Sequence, residues 1–316
     1  MYREAIKVLD CTIRDGGLIN DHFFEDNFVR EVYRAIASSG VDYMEIGYKA
    51  SKTLMNPDKF GKWKFCDEEE IKKAIDGIPS HTKLSVMVDV GRVEKKDILP
   101  KKDSVIDMMR VACYVKDIDA AIDLANDAAD KGYETTVNLM AVSKAIETEL
   151  EEALDQLGKE CRAKVIYVVD SFGTFYCENI THLVNKYKQR IGNKEIGIHT
   201  HNNQQLAYGN TIQAIIDGAN YLDASIFGIG RGAGNCPLEL LLGFLKNPKF
   251  DLGPILEVIP KEFLPLQKKI EWGYIIPYAL TGMFNEHPRL AIELRKGSKK
   301  DNYREFYESL QATEVE

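Results

Sequence analysis

The chain has 316 residues, of which 45% are apolar and 28% charged, the ordinary balance of a soluble globular protein. Its formal net charge of −8 argues against a nucleic-acid binder with a basic face and gives no polybasic signal for a membrane surface. No apolar run approaches a membrane span or a signal-peptide core, and the six scattered cysteines, without a C-x-x-C pair, indicate a cytoplasmic protein with reduced thiols.

Short β-branched segments alternate with helical ones along the first 247 residues. Eight segments are predicted to be strands: 6–14, 42–48, 83–90, 106–113, 134–140, 165–171, 195–201 and 221–227. Several are near-continuous apolar runs, as expected of parallel strands covered on their outer face. Amphipathic helices are predicted between them, for example over 27–39 and 116–131, where apolar side chains recur on one face.

Eight strand–helix units favour a closed (β/α)₈ TIM barrel over an open doubly wound sheet of five or six strands. The first turn reads Arg-Asp-Gly-Gly-Leu, so the glycine fingerprint of a dinucleotide site is missing there. The end of the chain is predicted to be helical over 252–270, 273–284 and 301–311, broken at Pro277, Pro288 and 296–300. We therefore predict a TIM-barrel catalytic domain at 1–247 and a C-terminal helical extension at 248–316, packed on the barrel.

In such a barrel the active site is built from the C-terminal ends of the strands and the loops that follow. His199 and His201 end the seventh predicted strand, and their spacing of two points both rings to the same face. Asp15 ends the first strand, and only the eighth strand separates it from the histidines. Beside it, Arg14 is a permanently charged fork suited to a carboxylate or an enolate oxygen. Two histidines and one carboxylate form a common divalent-metal triad, whereas solvated histidines and a structural Arg14–Asp15 pair are the alternatives.

A glycine-rich segment, 228–235 (Gly-Ile-Gly-Arg-Gly-Ala-Gly-Asn), follows the eighth predicted strand. A loop at this place that leads into a helix is a usual anion site in barrels, and the alternative is a tight turn that closes the barrel. Asn235 offers an amide oxygen as a further metal ligand. Asp170 ends the sixth strand, where it can orient a ligand histidine. The lysine-rich loop 49–67 is interpreted as a solvated basic loop rather than a lid over an anionic substrate.

Taken together, these residues resemble the DRE-TIM metallolyases (HMGL-like proteins). That family includes 4-hydroxy-2-oxovalerate aldolase, 3-hydroxy-3-methylglutaryl-CoA lyase, and the isopropylmalate and homocitrate synthases. The matching motifs fall in barrel order: Asp10-Cys-Thr-Ile-Arg14-Asp15-Gly16, Asp170-Ser171-x-Gly173, His199-x-His201-Asn202-Asn203 and Gly228-x-Gly230-x-Gly232-Ala233-Gly234-Asn235. The last two look closest to the oxovalerate aldolases. A C-terminal segment, Trp272-Gly-Tyr274-Ile-Ile-Pro-Tyr278, also resembles that branch, where such a segment supplies a catalytic tyrosine.

The resemblance implies a carbon–carbon lyase, a class II aldolase that depends on Mn²⁺ or Mg²⁺. It would make or break a bond through the metal-bound enolate of a 2-oxo acid such as pyruvate, with an aldehyde or ketone as acceptor. Asp15, His199 and His201 would hold the metal, with Asn235 as a further ligand. Arg14 would stabilise the developing negative charge. Candidate substrate contacts are Arg14, Asp15, Gly16, Tyr48, Asp170, Thr174, Gly232 and Gly234. Candidate catalytic residues besides Arg14 are Tyr274, Tyr278 and His287.

One position departs from the family pattern. Its aldolases carry a catalytic histidine three residues after the metal-binding aspartate, and this chain has Leu18 there. The proton-transfer group is therefore open among Asp21, His22, Tyr48, Tyr274, Tyr278 and His287. The alternatives are an acyl-CoA-dependent condensing enzyme or HMG-CoA lyase-like enzyme of the same family, and a metal-binding barrel without catalysis. The resemblance also implies a homo-oligomer. The change at Leu18 argues against the aldehyde dehydrogenase partner of the oxovalerate aldolases.

Overall fold

A computed structural model, which describes residues 3–314, shows eight parallel strands that close into one barrel. The strands are β1 (Lys7–Asp10), β2 (Tyr43–Tyr48), β3 (Lys83–Asp89), β4 (Met108–Tyr114), β5 (Glu134–Met140), β6 (Val165–Asp170), β7 (Glu195–Thr200) and β8 (Tyr221–Ala224). Each strand pairs with the next, and β8 closes on β1 with Asp10 opposite Ala224. The TIM-barrel prediction is confirmed.

Helices follow most of the strands and, apart from the short first one at the barrel mouth, cover the outside of the barrel. They are α1 (Thr12–Gly16), α2 (Asp26–Ser38), α3 (Glu68–Ile75), α4 (Ile118–Asp130), α5 (Glu147–Glu160), α6 (Cys177–Arg190), α7 (Ala207–Asp217) and α8 (Leu238–Leu245). The helices predicted at 27–39 and 116–131 correspond to α2 and α4. Eight strand–helix units were expected, but two short 3₁₀ turns, Lys95–Asp97 and Lys101–Asp103, stand between β3 and β4 where a helix was predicted. Pro100 interrupts this segment, which also lacks an apolar stripe.

The first strand is shorter than the predicted 6–14, because the chain turns directly after Asp10. The Asp10 carboxylate accepts hydrogen bonds from the backbone N–H of Thr12 at 3.2 Å and from its hydroxyl at 2.5 Å. Such side-chain bonds to a nearby backbone favour a turn over a continued strand. Arg14 and Asp15 therefore lie on α1, above the mouth of the barrel, and not within a strand.

The C-terminal segment is helical, as predicted. It contains α9 (Gly253–Val258), a π turn (Ile259–Phe263), α10 (Leu264–Gln267), α11 (Ile276–Met283), α12 (Arg289–Lys296) and α13 (Tyr303–Glu314). The sequence interpretation missed α12. It also placed a break at Pro277, whereas this proline lies in the first turn of α11, where its missing N–H costs nothing. Tyr278 and Ala291 pack against Ala233 of the glycine-rich loop, which joins this segment to the barrel.

The middle layer of the barrel interior is charged. Arg110 of β4 is fully buried, and its guanidinium lies 2.8 Å from Glu45 of β2 and 2.6 Å from Asp223 of β8. It also lies 4.5 Å from the ring centre of Tyr167 on β6. A layer built from alternate strands is typical of TIM barrels, but the usual occupants are bulky and apolar. Gly197 makes room for Tyr167, because an added Cβ there would lie 2.6 Å from the ring.

Across residues 3–314 the structure contains no helix long and apolar enough to cross a membrane.

Candidate active site

A small cavity of about 70 Å³ opens at the C-terminal end of the barrel. Its polar lining includes five of the predicted site residues: Arg14, Asp15, Tyr48, His199 and His201. Its remaining walls are formed by apolar side chains and by three polar residues that the sequence interpretation left unassigned: Asn138, Ser171 and Arg231. Pockets for drug-sized ligands are usually ~300–1,000 Å³. This cavity therefore suits a small organic acid.

Asp15, His199 and His201 form a buried cluster in this cavity. Asp15 Oδ2 lies 3.5 Å from His199 Nε2 and 3.7 Å from His201 Nε2, and one ligand atom from each residue falls within 4.8 Å of the others. Both Nε2 atoms are buried, and neither has a hydrogen-bond partner among the described residues. Buried polar groups are almost always satisfied. Three converging donor atoms, two of them unsatisfied, therefore fit a divalent metal ion.

The other ring nitrogen of each histidine is held from behind. His199 Nδ1 lies 2.9 Å from Asp223 Oδ2, and His201 Nδ1 lies 3.0 Å from the backbone carbonyl oxygen of Asp170. With Nδ1–H donating to these oxygens, each Nε2 presents a lone pair toward Asp15, as in many metal sites. Asp170 thus contacts His201 through its backbone. Its carboxylate instead accepts from the N–H of Thr174 at 2.9 Å.

The charges around Asp15, His199 and His201 favour the binding of a cation. Burial alone would raise the pKa of Asp15, but Arg14 and the two histidines hold it well below its usual value. Burial lowers the pKa of His201 to about 3, so its ring is neutral at pH 7. Burial would also lower the pKa of His199, but the neighbouring carboxylates of Asp15 and Asp223 outweigh this and raise it. The site therefore carries a carboxylate and at least one neutral imidazole.

Asn235 lies beside this cluster. It bridges to His201 across a short antiparallel contact, and an added Cβ at Gly230 would lie 2.2 Å from Asn235 Nδ2 and 2.8 Å from Asp15 Oδ1. Its amide nitrogen donates to the carbonyl of Ile229 at 3.0 Å, while its buried Oδ1 accepts no hydrogen bond from the part of the chain that the structure describes. The amide oxygen is thus free to act as a ligand. Imidazole and oxygen donors together suit first-row divalent ions.

Arg14 connects the cluster to the barrel interior. Its Nη1 lies 2.5 Å from Asp15 Oδ2, and its Nε donates to Glu45 Oε2 at 2.6 Å. Glu45 also forms an ion pair with Arg110, and Arg110 forms one with Asp223. These ion pairs make a continuous path from Asp15 back to His199. The roles of Arg110 and Asp223 were missed. Their signal was a charged residue within each otherwise apolar strand, at an inward-facing position.

Tyr48 is the only candidate proton-transfer residue in the lining of the described cavity. The Lys64 ammonium lies 3.6 Å from the centre of its ring, and the His22 ring meets it edge-on at 5.3 Å. Lys64 is 3% exposed, and its neighbours Trp63 and Phe65 are also buried. The interpretation of 49–67 as a solvated loop was therefore wrong at these residues, whose apolar neighbours draw the lysine stem into the protein.

The C-terminal candidates lie outside the cavity lining. Tyr274 is 63% exposed. Tyr278 is buried, and its hydroxyl lies 3.4 Å from Glu271 Oε1. His287 packs edge-on against Phe172, and burial lowers its pKa to about 4.

The remaining predicted substrate residues support the site from behind. Gly16 packs against Ile229, because an added Cβ would lie 3.2 Å from that side chain. Gly232 faces the ring of Tyr278 in the same way. Gly234 has a φ of +81° and lies so close to the Gly228 carbonyl that a Cβ would approach its oxygen to 1.9 Å. Only glycine fits there, and the tight turn places Asn235 beside the cluster of Asp15, His199 and His201.

The fold and the site define a class: a (β/α)₈ barrel with a buried two-histidine, one-carboxylate centre at its C-terminal mouth. Residues 5–258 match the HMGL-like family model, and the chain belongs to the HMGL-like family. The family's aldolases depend on a divalent metal, and the Asp15–His199–His201 cluster provides a place for one.

Named relatives support this assignment. The chain is 30% identical over 253 residues to a 4-hydroxy-2-oxovalerate aldolase from Geobacillus genomosp. 3, which covers 80% of this chain and 74% of the relative. It is 29% identical over 247 residues to an oxaloacetate decarboxylase from Mycobacterium tuberculosis (strain ATCC 25618 / H37Rv), covering 78% and 71%. With these relatives and this family, the protein is an enzyme, a carbon–carbon lyase of the aldolase type.

Solved structures agree. The N-terminal domain of a protein assigned as an aldolase from Bacteroides vulgatus superimposes with a TM-score of 0.78 at 29% identity, over 95% of this chain and 99% of that one. The carboxyl transferase domain of Rhizobium etli pyruvate carboxylase, solved with pyruvate, gives 0.72 at 13% identity, over 96% and 55%. The second match shows the fold alone.

Proposed function

We propose that the protein joins pyruvate to an aldehyde, and in reverse cleaves a 4-hydroxy-2-oxo acid, at the cavity around Asp15. The observation that carries this proposal is the convergence of three buried donor atoms, from Asp15, His199 and His201, beside the guanidinium of Arg14. The small cavity fits a substrate of the size of pyruvate. The oxovalerate aldolase relatives support the same reaction.

Mn²⁺ or Mg²⁺ is the proposed cofactor, with Asp15, His199 and His201 as ligands and Asn235 as a further one. When bound, the ion would supply Lewis acidity toward the keto oxygen of a 2-oxo acid. The free Nε2 lone pairs and the free Asn235 Oδ1 support this ligand set. Asp223 and the Asp170 carbonyl hold the two rings in the orientation that ligation needs.

Arg14 provides fixed positive charge at the place where negative charge develops. Two carboxylates, from Asp15 and Glu45, hold its guanidinium in one orientation at the cavity wall. A charge that is already oriented costs no reorganisation when the enolate oxygen forms. Leu18, Met87 and Val169 form apolar walls that keep water away and so strengthen this interaction.

Tyr48 is the proposed proton-transfer residue. Burial raises the pKa of its hydroxyl, which is therefore neutral and can donate a proton. In the condensation, the enolate carbon attacks the aldehyde carbon, the carbonyl oxygen becomes an alkoxide, and Tyr48 gives its proton to that oxygen. The Lys64 ammonium over the ring stabilises the negative charge left on the phenol oxygen. Burial lowers the pKa of Lys64 to about 8, so it stays charged at pH 7.

Two features of the resemblance stay predictions. Self-association into a homo-oligomer is expected from the family. An aldehyde dehydrogenase partner is not proposed, because Leu18 replaces the histidine of the aldolases that work with one.

The test is release of pyruvate from 4-hydroxy-2-oxopentanoate with Mn²⁺ or Mg²⁺, followed with lactate dehydrogenase. Tyr48→Phe is expected to lower kcat by about 10²–10⁴, the usual contribution of a positioned acid or base. It should leave Mn²⁺ affinity, measured by calorimetry, near the wild-type value. Tyr133→Phe is the matched control, because it also removes one tyrosine hydrogen bond, to the Leu99 carbonyl, away from the cavity.

Two outcomes would contradict the proposal. Wild-type protein that releases no pyruvate with either ion would refute the aldolase reaction. Full activity in Tyr48→Phe, together with loss of activity in Tyr274→Phe or Tyr278→Phe, would move the proton transfer to the C-terminal segment.

A further inference from the structure

A second arginine faces the cavity and has no part in the reaction as proposed. Arg231 belongs to the glycine-rich loop after β8, and its side chain lines the same cavity as Arg14. Its backbone N–H donates to Asp15 Oδ1 at 3.1 Å, and its Nη2 donates to the backbone carbonyl of Ser171 at 3.0 Å. The guanidinium therefore reaches across the mouth of the barrel, from β8 to the end of β6.

Arg231 differs from the other two arginines of the barrel interior, because no carboxylate of residues 3–312 forms an ion pair with its guanidinium. Arg14 and Arg110 each pair with two buried carboxylates. Among the side chains of residues 3–312, none forms an ion pair with Arg231, and its buried Nε has no hydrogen-bond partner. A desolvated guanidinium without a counter-ion is costly, and an anionic ligand would remove that cost.

The guanidinium of Arg231 acts electrostatically on two of the proposed metal ligands, Asp15 and His201, and also on groups farther out. Arg231 acts electrostatically on Tyr114, at the end of β4, and on His287 of the C-terminal segment. Tyr114 is 47% exposed, so the side of the site near Tyr114 is its outer rim. Five of the side chains that line the cavity are apolar and offer no charge: Leu18, Met87, Ala112, Met140 and Val169. Two cationic centres with apolar walls suit a short carbon chain with an anionic group at each end.

We propose that Arg231 binds a second carboxylate of the substrate, on the carbon chain beyond the 2-oxo acid group. The site then takes a 2-oxo dicarboxylic acid, or the aldol adduct that contains one, in preference to a monocarboxylic acid of the same length. This inference rests on the proposed function, which assigns the 2-oxo acid end to the metal ligands. A guanidinium matches a carboxylate with two parallel hydrogen bonds, and the free Nε of Arg231 supplies one of them.

The test is calorimetric binding of matched acids to Mg²⁺-loaded protein, which does not depend on turnover. Freshly dissolved oxaloacetate is compared with 2-oxobutyrate, and 2-oxoglutarate with 2-oxovalerate, because in each pair a methyl group replaces the distal carboxylate. At least one diacid is expected to bind about ten- to hundredfold more tightly than its partner, the usual effect of a charge-assisted hydrogen bond. Arg231→Ala removes that difference, and Arg231→Lys keeps part of it.

Lys116→Ala is the matched control, because it removes an exposed positive charge at the same end of the barrel but outside the cavity. It should keep the full difference between the acids. Thermal unfolding checks that each variant folds. If Arg231→Ala does not fold, Arg231→Gln replaces it, because glutamine keeps more of the side-chain volume without the charge.

Three results would overturn the inference. Wild-type protein that binds both acids of each pair equally, or neither, has no subsite for a distal carboxylate. A loss of affinity in Arg231→Ala that is equal for both acids of a pair assigns Arg231 to the carboxylate that they share. A preference that survives in Arg231→Ala belongs to another residue. Failure of the aldolase proposal appears separately, as absence of pyruvate release, and leaves the binding ratio measurable.

Discussion

Replacement of Arg110 by methionine tests the charged layer inside the barrel. The Arg110 side chain is fully buried, and so are those of its two carboxylate partners, Glu45 and Asp223. Burial would raise the pKa of Asp223, but Arg110 and His199 outweigh it and lower the pKa. Arg110→Met leaves both carboxylates buried with less positive charge nearby to offset the loss of solvation. Breaking such a pair usually costs ~3–5 kcal/mol, a large part of the ~5–15 kcal/mol that stabilises a typical protein.

Arg110→Met should therefore lower the free energy of unfolding by about 3 kcal/mol in urea at pH 7, the lower end of that range, because Glu45 keeps Arg14 and Asp223 keeps His199. The pH dependence has a definite sign. A carboxylate with a lowered pKa stabilises the fold above its ordinary pKa, and this contribution disappears as the pH falls through the folded value. The difference in free energy of unfolding between variant and wild type should thus become smaller below about pH 4.

The control for this variant is Arg162→Met, which breaks a solvent-exposed pair with Asp130. Exposed pairs contribute little, so its urea midpoint should match that of the wild type. Equal midpoints for Arg110→Met and wild type would refute the reasoning, because they would mean that the interior carboxylates do not need the arginine. A midpoint shift that stays constant between pH 7 and pH 3 would also refute it.

Three further changes test other parts of the structure. Gly197→Ala places a Cβ 2.6 Å from the buried Tyr167 ring and should lower the free energy of unfolding in urea by about 1–3 kcal/mol. Gly209→Ala on α7, where a Cβ meets nothing within 4 Å, should not destabilise the protein. Equal effects of the two changes would contradict this packing argument. Burial raises the pKa of Asp10 to about 7, although hydrogen bonds from Thr12 lower it. The wild type should therefore lose stability relative to Asp10→Asn as the pH rises from 4 to 7. A difference in free energy of unfolding that stays constant over this range would show that Asp10 is not protonated there. Asp223→Asn should weaken Mn²⁺ binding about 10- to 100-fold in calorimetry, because a neutral amide holds the His199 ring and raises its basicity less than a carboxylate does. Unaltered affinity would show that Asp223 does not support the site.

Most of the fold could be predicted because its signals are local. An apolar β-branched run marks each strand, and the order of the strands around the barrel then places Asp15 near His199 and His201. The turn after Asp10 was missed because it depends on a side-chain bond to Thr12 that competes with a fairly ordinary strand pattern. The missing helix between β3 and β4 was marked by Pro100 and by the lack of an apolar stripe, but the regular alternation of the other units outweighed that signal.

The site was predictable in its ligands and much less so in their supports. His199 and His201 stand in a recognisable motif, whereas Arg110 and Asp223 lie 113 residues apart and meet only when the barrel closes. The contribution of Lys64 depends on its neighbours Trp63 and Phe65, whose burial carries a lysine onto the face of Tyr48. Such pairings are long-range and cannot be obtained from spacing along the chain.

The most direct test of the central claim is exchange of the pyruvate methyl protons in D₂O, followed by NMR with Mg²⁺ removed and restored. If Asp15, His199 and His201 form a metal-dependent, enolate-forming site, exchange should need the ion and should be lost in Asp15→Ala and in His199→Ala. Exchange that continues without the ion, or that persists in both variants, would contradict the account.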